Sequence, residues 1–537
     1  MAEHDAIVVG SGINGLACAA LLAKGGWDVC VLERNDWFGG AIKTAHLTAP
    51  GFLHDVYSAW HPLWVGGPAH AQLGDDLARH GLEYLNTELP TGTLYPDGES
   101  AFLLRSAEAN ARELDRHHLG DGTAWIELLE GFFPTADLAF GVLGTELWSR
   151  QGASFAWKAI RRLGREGARD FAGDLLISAR DWLEETFVSQ RAHGVLAPWV
   201  LHTGLGPDAA ASGYMAQVIA VAVQEGGMPI PRGGGAKLAE ALVAYIREQG
   251  GTCETGADVT RVTPKGVQTA DGTSFGARRA VVCNVTPTQL YGRLLEGQTA
   301  PKFRYGRSEM QIHFALSEPP RWAGDERLGK TAIVHLTPGL DGVSRAVNEA
   351  ERGLLPAEAT IVVGQPATVD PSRAPEGKSV IWIQLQELPR RPTGDALGEL
   401  DVGDGSWTEA LREAYADRIV ERLGTQISNL GSATLKRVAL SPADLEGLNR
   451  NLVGGDIYAG SCALDQNLLW RPSGRLPGHA TPLDGLWQIG ASTHPGPGLG
   501  AGSGYLVAKH LLRPPLARRA YARGSEAAGE LRRRLPL

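Results

Sequence analysis

The sequence predicts an α/β protein: a parallel-sheet domain assembled from three separated segments, with an inserted α+β domain that contains an antiparallel sheet. Three observations predict it. Residues 5–33 run strand, glycine turn, apolar helix, strand. Charged helical patterning takes over at about 76–224, and the first pattern returns near Gly226. Alternating apolar runs between about 300 and 440 describe strands with one covered face. The expected boundaries are 1–75, 225–298 and 445–512 for the first domain, 76–224 and 299–444 for the inserted one, and 513–537 for a basic C-terminal tail.

Ala6-Ile7-Val8-Val9 is continuously apolar, as a parallel strand buried on both faces must be. Leu16–Lys24 is small and apolar, suiting a helix packed tightly on a sheet, and Gly25-Gly26 ends it. Val29–Leu32 is the second strand. Trp157 to Arg169 and Leu175 to Phe187 read as helices of the insertion. Lys237–Gln249 reads as an amphipathic helix, followed by strands at 258–262, 267–269 and 280–284 between Gly and Pro turns. Gln311–Leu316 and Val380–Leu385 alternate. Leu486–Ile489 is a last short strand before a glycine loop and the helix 505–512.

The 537 residues, 43% hydrophobic and 21% charged, suffice for two or three globular domains. A net charge of −9 argues against nucleic-acid binding, which needs a basic face. The five cysteines, Cys18, Cys30, Cys253, Cys283 and Cys462, form no CxxC pair and read as buried reduced thiols of a cytoplasmic protein. No metal is expected. The apolar stretch 215–223 is too short to span a bilayer, and cleavage of a leader is not expected, because the first strand feeds a functional loop.

That loop is Gly10-Ser11-Gly12-Ile13-Asn14-Gly15, a GxGxxG that follows a buried strand, opens a helix and precedes Glu33 at the end of the next strand. Gly10 permits the turn, Gly12 lets backbone approach a pyrophosphate, and Gly15 allows close helix–strand packing. The helix N-terminus offers free N–H groups to phosphates, and Glu33 is placed to accept from ribose hydroxyls. This is a Rossmann-type βαβ unit. Arg34 follows, then Gly39-Gly40-Ala41, a second backbone approach that a plain NAD dehydrogenase does not need. Gly490, Ala491, Leu499, Gly500 and Ala501 belong to a glycine loop whose amides are suited to a flavin ring and ribityl chain. The cofactor expected is therefore FAD.

Together these elements resemble the phytoene desaturase-like branch of the FAD-dependent amine oxidase and desaturase superfamily, in particular its pyridine nucleotide-disulphide oxidoreductase domain-containing protein 2-like members. Gly227–Gly234 is similar to the family's domain-return loop, Cys283–Pro287 to a strand end, and Asp370–Lys378 to a conserved-looking loop of the family. The resemblance implies non-covalent FAD, a glutathione reductase-like, three-segment FAD domain and a backbone contact of Val259 with adenine. Ala41 stands where amine oxidases often carry a flavin-contacting arginine, and Gly496–Gly502 departs from the desaturases' usual glycine stretch.

The expected reaction is dehydrogenation or desaturation of a hydrophobic or aromatic small molecule, with hydride passing to FAD and on to oxygen or a quinone. His494 is the candidate catalytic side chain. His54, Asp55 and Tyr57 are placed to approach the pocket, and Trp125, Trp148, Trp157, Trp182, Trp199, Trp322, Trp382 and Trp407 to line it. The stretch 158–169 and the tail are basic enough for peripheral contact with an anionic membrane, and a homodimer is compatible with the sequence. The rival readings are a flavin amine oxidase, a non-catalytic flavin-bearing scaffold and an NAD-only dehydrogenase.

Overall fold

The computed structural model describes residues 2–147, 149–474 and 476–513. The elements that position the site are, in chain order, β1 (Ala2–Val9), α1 (Ile13–Lys24), β2 (Val29–Leu32), β3 (Thr91–Leu94), β4 (Ser100–Leu103), α2 (Arg150–Asp174), α3 (Ser212–Gly226), α4 (Ala236–Glu248), β5 (Thr252–Glu254), β6 (Val259–Thr263), β7 (Gly266–Thr269), β8 (Ser274–Cys283), β9 (Ser308–Leu316), β10 (Ile333–Leu336), β11 (Ile361–Gly364), β12 (Ser379–Leu388), α5 (Glu409–Gly424), β13 (Thr434–Leu440), β14 (Leu486–Gln488) and α6 (Gly502–Leu511).

The first sheet has the order β6-β7-β8-β1-β2-β5, with β14 pairing the end of β8. Its centre, β14·β8·β1·β2·β5, is parallel, and β6-β7 is an antiparallel extension. Alternation along β1 explains its unbroken apolar run. Ala6 and Val8 face α1, α4 and α6, whereas Ile7 and Val9 face the opposite cluster with Leu290 and Tyr291. The helices lie close: a Cβ on Gly504 would stand 2.0 Å from the carbonyl oxygen of Asn14.

The second sheet has the order β13-β9-β12-β11-β10-β3-β4, antiparallel except for β10·β3. β3 and β4 thus come from the helical insertion and complete a sheet whose other strands lie after residue 299. One face packs on α5 through Met310, Ile312, Ile383 and Tyr415. The other faces the helices of the insertion through Ile333, Val362 and Trp382.

The expected helix over 175–187 begins only at Ala179. α2 runs to Asp174, and Ser178 accepts from the Asp181 N–H to cap the next helix. Trp157 points outward, 58% exposed, and so lines no pocket, while Trp125 and Trp182 are core. Trp148 and the tail beyond 513 lie outside the described residues. The five cysteines are unpaired and buried. Among the described residues no helix is long and apolar enough to cross a membrane.

Candidate dinucleotide site

Gly10 turns the chain at φ +92°, and a Cβ on Gly15 would stand 2.2 Å from the Gly10 carbonyl oxygen. Both positions therefore demand glycine. The second pair answers to the same turn. Gly39 donates to Ser11 O at 3.2 Å, and a Cβ on Gly40 would lie 2.9 Å from Gly12 Cα. Gly39-Gly40 thus lays one backbone on another, which explains the pair without a side chain.

Glu33 follows β2 and is 5% exposed. Its Oε2 accepts from the Ser11 N–H at 3.0 Å and from Ser11 Oγ at 2.7 Å, and its Oε1 accepts from the Asn35 N–H at 2.9 Å. The carboxylate fixes the turn and keeps lone pairs for further donors. Beside it, Arg34 carries a buried Nη1 with no partner. Val259 opens β6, and its carbonyl accepts from Arg293 Nη1 at 3.1 Å.

Asn284, one residue past β8, joins the three segments. With its amide oxygen facing the donors, it accepts from the N–H groups of Gly12 at 3.2 Å and Gly15 at 3.3 Å. It caps α1, whose own N-cap, Gly12, has no side chain to do so. A Cβ on Gly490 would stand 2.9 Å from the same side chain. The first-turn amides of Ile13 and Asn14 have no intrahelical acceptor by helix geometry. A diphosphate fits there, at a positive helix end walled by glycine backbone.

The 490–501 loop is held from below. Gly490 donates to Ser503 Oγ at 3.1 Å, and the Ala491 carbonyl accepts from Arg471 Nη2 at 2.7 Å. Arg471 is fully buried and also donates to Tyr458 O and Ser461 O. Leu499 packs on the α1–α6 core, and Ala501 starts α6 at φ +55°, a left-handed conformation costly for alanine.

His494 is 2% exposed. One ring nitrogen, Nε2, lies 3.0 Å from Val142 O of the helical insertion, and Nδ1 has no partner. Burial pushes its pKa down to about 4, so the ring is neutral at pH 7. The backbone carbonyl of His494 accepts from His479 Nε2 at 2.7 Å. Asp55, expected near the pocket, is instead a structural anion bonded to Arg373, Thr44 and Gly235. His54 binds Thr48 Oγ1, and Tyr57 has a buried, unpartnered hydroxyl.

Sequence reasoning missed Asn284, Arg471 and Arg373. Only Asn284 left a signal: ligands bind at the carboxyl ends of parallel strands, and it follows such a strand.

The chain is similar to known proteins over nearly its whole length. The family model described as NAD(P)-binding Rossmann-like domain matches residues 8–77. The mouse (Mus musculus) "Pyridine nucleotide-disulfide oxidoreductase domain-containing protein 2" is 26% identical, covering 95% of this chain and 94% of its own. A phytoene desaturase of Fusarium fujikuroi is 24% identical over 95% of this chain and 90% of its own. The crystal structure of an oxidoreductase from Methanosarcina mazei superposes with a TM-score of 0.60 at 15% identity, covering 94% of this chain and 99% of that one. Fold and cradle define the class: a flavin-dependent oxidoreductase binding FAD. Within it, the resemblance to phytoene desaturase-like proteins holds over nearly the whole chain.

Proposed function

We propose that the chain oxidises a largely apolar organic substrate by dehydrogenation or desaturation, with FAD held between the turn 10–15, the 39–41 pair and the loop 490–501. The observation that carries the reading is Asn284, which touches the turn and the loop at once. Bound there, FAD supplies a two-electron acceptor for a hydride from a substrate C–H bond. The chain's own residues hold and orient: Ile13 and Asn14 amides on the diphosphate, Glu33 on ribose hydroxyls, Arg34 and the Val259 backbone at the adenosine end, and Gly490, Leu499, Gly500 and Ala501 along the ring and ribityl chain. Ala41 leaves room where a larger side chain would stand.

His494, neutral and with a free Nδ1, accepts a hydrogen bond from substrate or flavin in this reading. The segments 1–75, 225–298 and 445–512 form the FAD domain, and 76–224 with 299–444 the substrate domain. Oxygen or a quinone takes the electrons on. The test is anaerobic bleaching of the flavin by candidate substrates, followed by reoxidation with air or a quinone. Bleaching supports the reading, and its absence across apolar substrates with bound flavin favours a scaffold.

A peripheral membrane contact has one specific support. On α2, before its break at Gly164, Trp157 and Ile160 are more than half exposed beside Lys158 and Arg161. Liposome flotation at low salt tests it, and the protein staying at the bottom of the gradient removes it.

A further inference from the structure

The second sheet turns an unusual face away from α5. Period-two alternation sets Gln311 and His313 of β9, Gln384 and Gln386 of β12 and His335 of β10 on the side of Trp382, Val362 and Ile333. Register aligns a row across the strands. His335 lies opposite Val362, Val362 opposite Gln384, and Gln384 opposite Gln311. Amides and imidazoles in mid-sheet are the reverse of what an interior sheet face ordinarily carries.

Part of this face is open. Gln384 is flanked on both sides by strands β9 and β11, yet keeps accessible surface. On the same face several polar atoms lie without partners: Gln311 Oε1, Gln386 Oε1, His335 Nδ1 and both ring nitrogens of His313. All four residues are 2% exposed or less. Their other atoms are fixed. Gln386 Nε2 donates to Tyr458 Oη at 2.8 Å, Gln311 Nε2 to Glu309 Oε1 at 2.6 Å, and His335 Nε2 lies 3.3 Å from His202 Nε2. A buried polar atom without a partner is costly, so several fixed on one sheet face call for a partner there.

The imidazoles of this face are uncharged at pH 7. Desolvation holds His202 down to about 4, and His335 and His313 well below their usual value. The Arg307 guanidinium pairs with Glu351 through Nη1 and donates to Leu205 O through Nη2, and its buried Nε has no partner. Glu309, whose carboxyl burial pushes up to about 7, already accepts from Gln311 and Gln384. Trp199, stacked on His202 with centroids 4.7 Å apart, and Trp382 supply apolar wall.

We infer that the substrate of this site is a neutral, mainly apolar molecule carrying a hydroxyl, which the free atoms of Gln386, Gln311 and His335 bind, and that it is neither a pure hydrocarbon nor a carboxylate. Amide oxygens need a donor and a neutral imidazole nitrogen needs a donor or an acceptor. A hydroxyl is both. A hydrocarbon leaves the row unsatisfied, and a carboxylate brings its negative charge beside the Glu309 carboxyl while the charge of Arg307 is already paired with Glu351. The inference rests on the proposed reading of this space as the substrate chamber of a flavin enzyme.

The experiment is equilibrium dialysis of the flavin-loaded protein against three probes of one carbon skeleton: limonene, perillyl alcohol and perillic acid. The alcohol should bind at least tenfold tighter than either of the others. In Gln386→Leu and His335→Phe that preference should fall toward unity while flavin content stays unchanged. Tyr458 Oη keeps its bond to Leu201 O in the first variant. Absence of the preference in the wild-type chain, including no binding of the alcohol, overturns the inference, as does a preference that survives both substitutions. A chain that takes up no supplied FAD yet still selects the alcohol would defeat the FAD reading and leave the substrate class standing.

Discussion

Asp55 Oδ2 and Arg373 Nη1 form an ion pair of 2.6 Å in which neither side chain has any exposure. Arg373 Nε also meets Asp370 Oδ2 at 2.7 Å. The two carboxylates in turn accept from the N–H groups of Gly235 at 2.8 Å and Gly233 at 2.7 Å. One guanidinium therefore ties together the segment after the second glycine pair, the glycine turn before α4 and the 370–373 loop. Removing one partner leaves an uncompensated buried charge, so Arg373→Met should cost about 3–5 kcal/mol in denaturant unfolding. Replacing Asp55, Asp370 and Arg373 together by apolar residues should recover part of it. A loss within 1 kcal/mol for the single variant would contradict this role.

Asn284 caps α1 from a distant strand. Asn284→Asp keeps an acceptor for Gly12 and Gly15 but sets a negative charge against the diphosphate. Apoprotein thermal stability should hold, while FAD affinity, read by quenching of flavin fluorescence, falls at least about tenfold, or roughly 1.4 kcal/mol. Asn284→Ala should cost about 1 kcal/mol of stability as well, the ordinary loss of a cap. Unchanged FAD affinity in both would separate Asn284 from the cofactor site.

Glu309 sets a pH dependence. Desolvation raises its carboxyl from 4.5 to about 7 in the folded chain. A raised folded pKa gives stability that is complete below 4.5 and lost as pH rises through about 7. Glu387 is raised to about 7 as well, so both carboxyls contribute the same sign. Glu309→Gln removes one share. The variant should exceed the wild type by roughly 3 kcal/mol above pH 8 and match it in acid. Parallel stability curves across that range would refute the assignment.

His494 offers a kinetic prediction. His494→Ala should slow substrate-driven flavin reduction at least about tenfold at unchanged flavin content, within the range typical of positioned proton-handling groups. With its pKa near 4, no step of the wild-type profile between pH 6 and 9 should belong to it. A variant that reduces its flavin at the wild-type rate leaves His494 as loop structure.

The glycine turn, the strand before it and Glu33 were legible because their requirements are local: spacing, positive φ and close approach are written in consecutive residues. The sheet strands were legible as alternation, but Gln311, His335 and Gln384 became one row only through register between strands far apart in the chain. Arg373 and Arg471 drew no structural reading from the sequence because nothing local announces a carboxylate 318 residues away or a set of loop carbonyls. The helix start at Ala179 was signalled by Ser178 and Asp181, a cap spacing overridden by the apolar run before it. Trp157 followed the general tendency of aromatics to be buried, yet it stands outside on α2.

The most direct measurement is the flavin content of the purified chain. The account predicts a yellow protein that releases one equivalent of FAD, intact and non-covalently held, on denaturation. A colourless chain that takes up no FAD when it is supplied would contradict it.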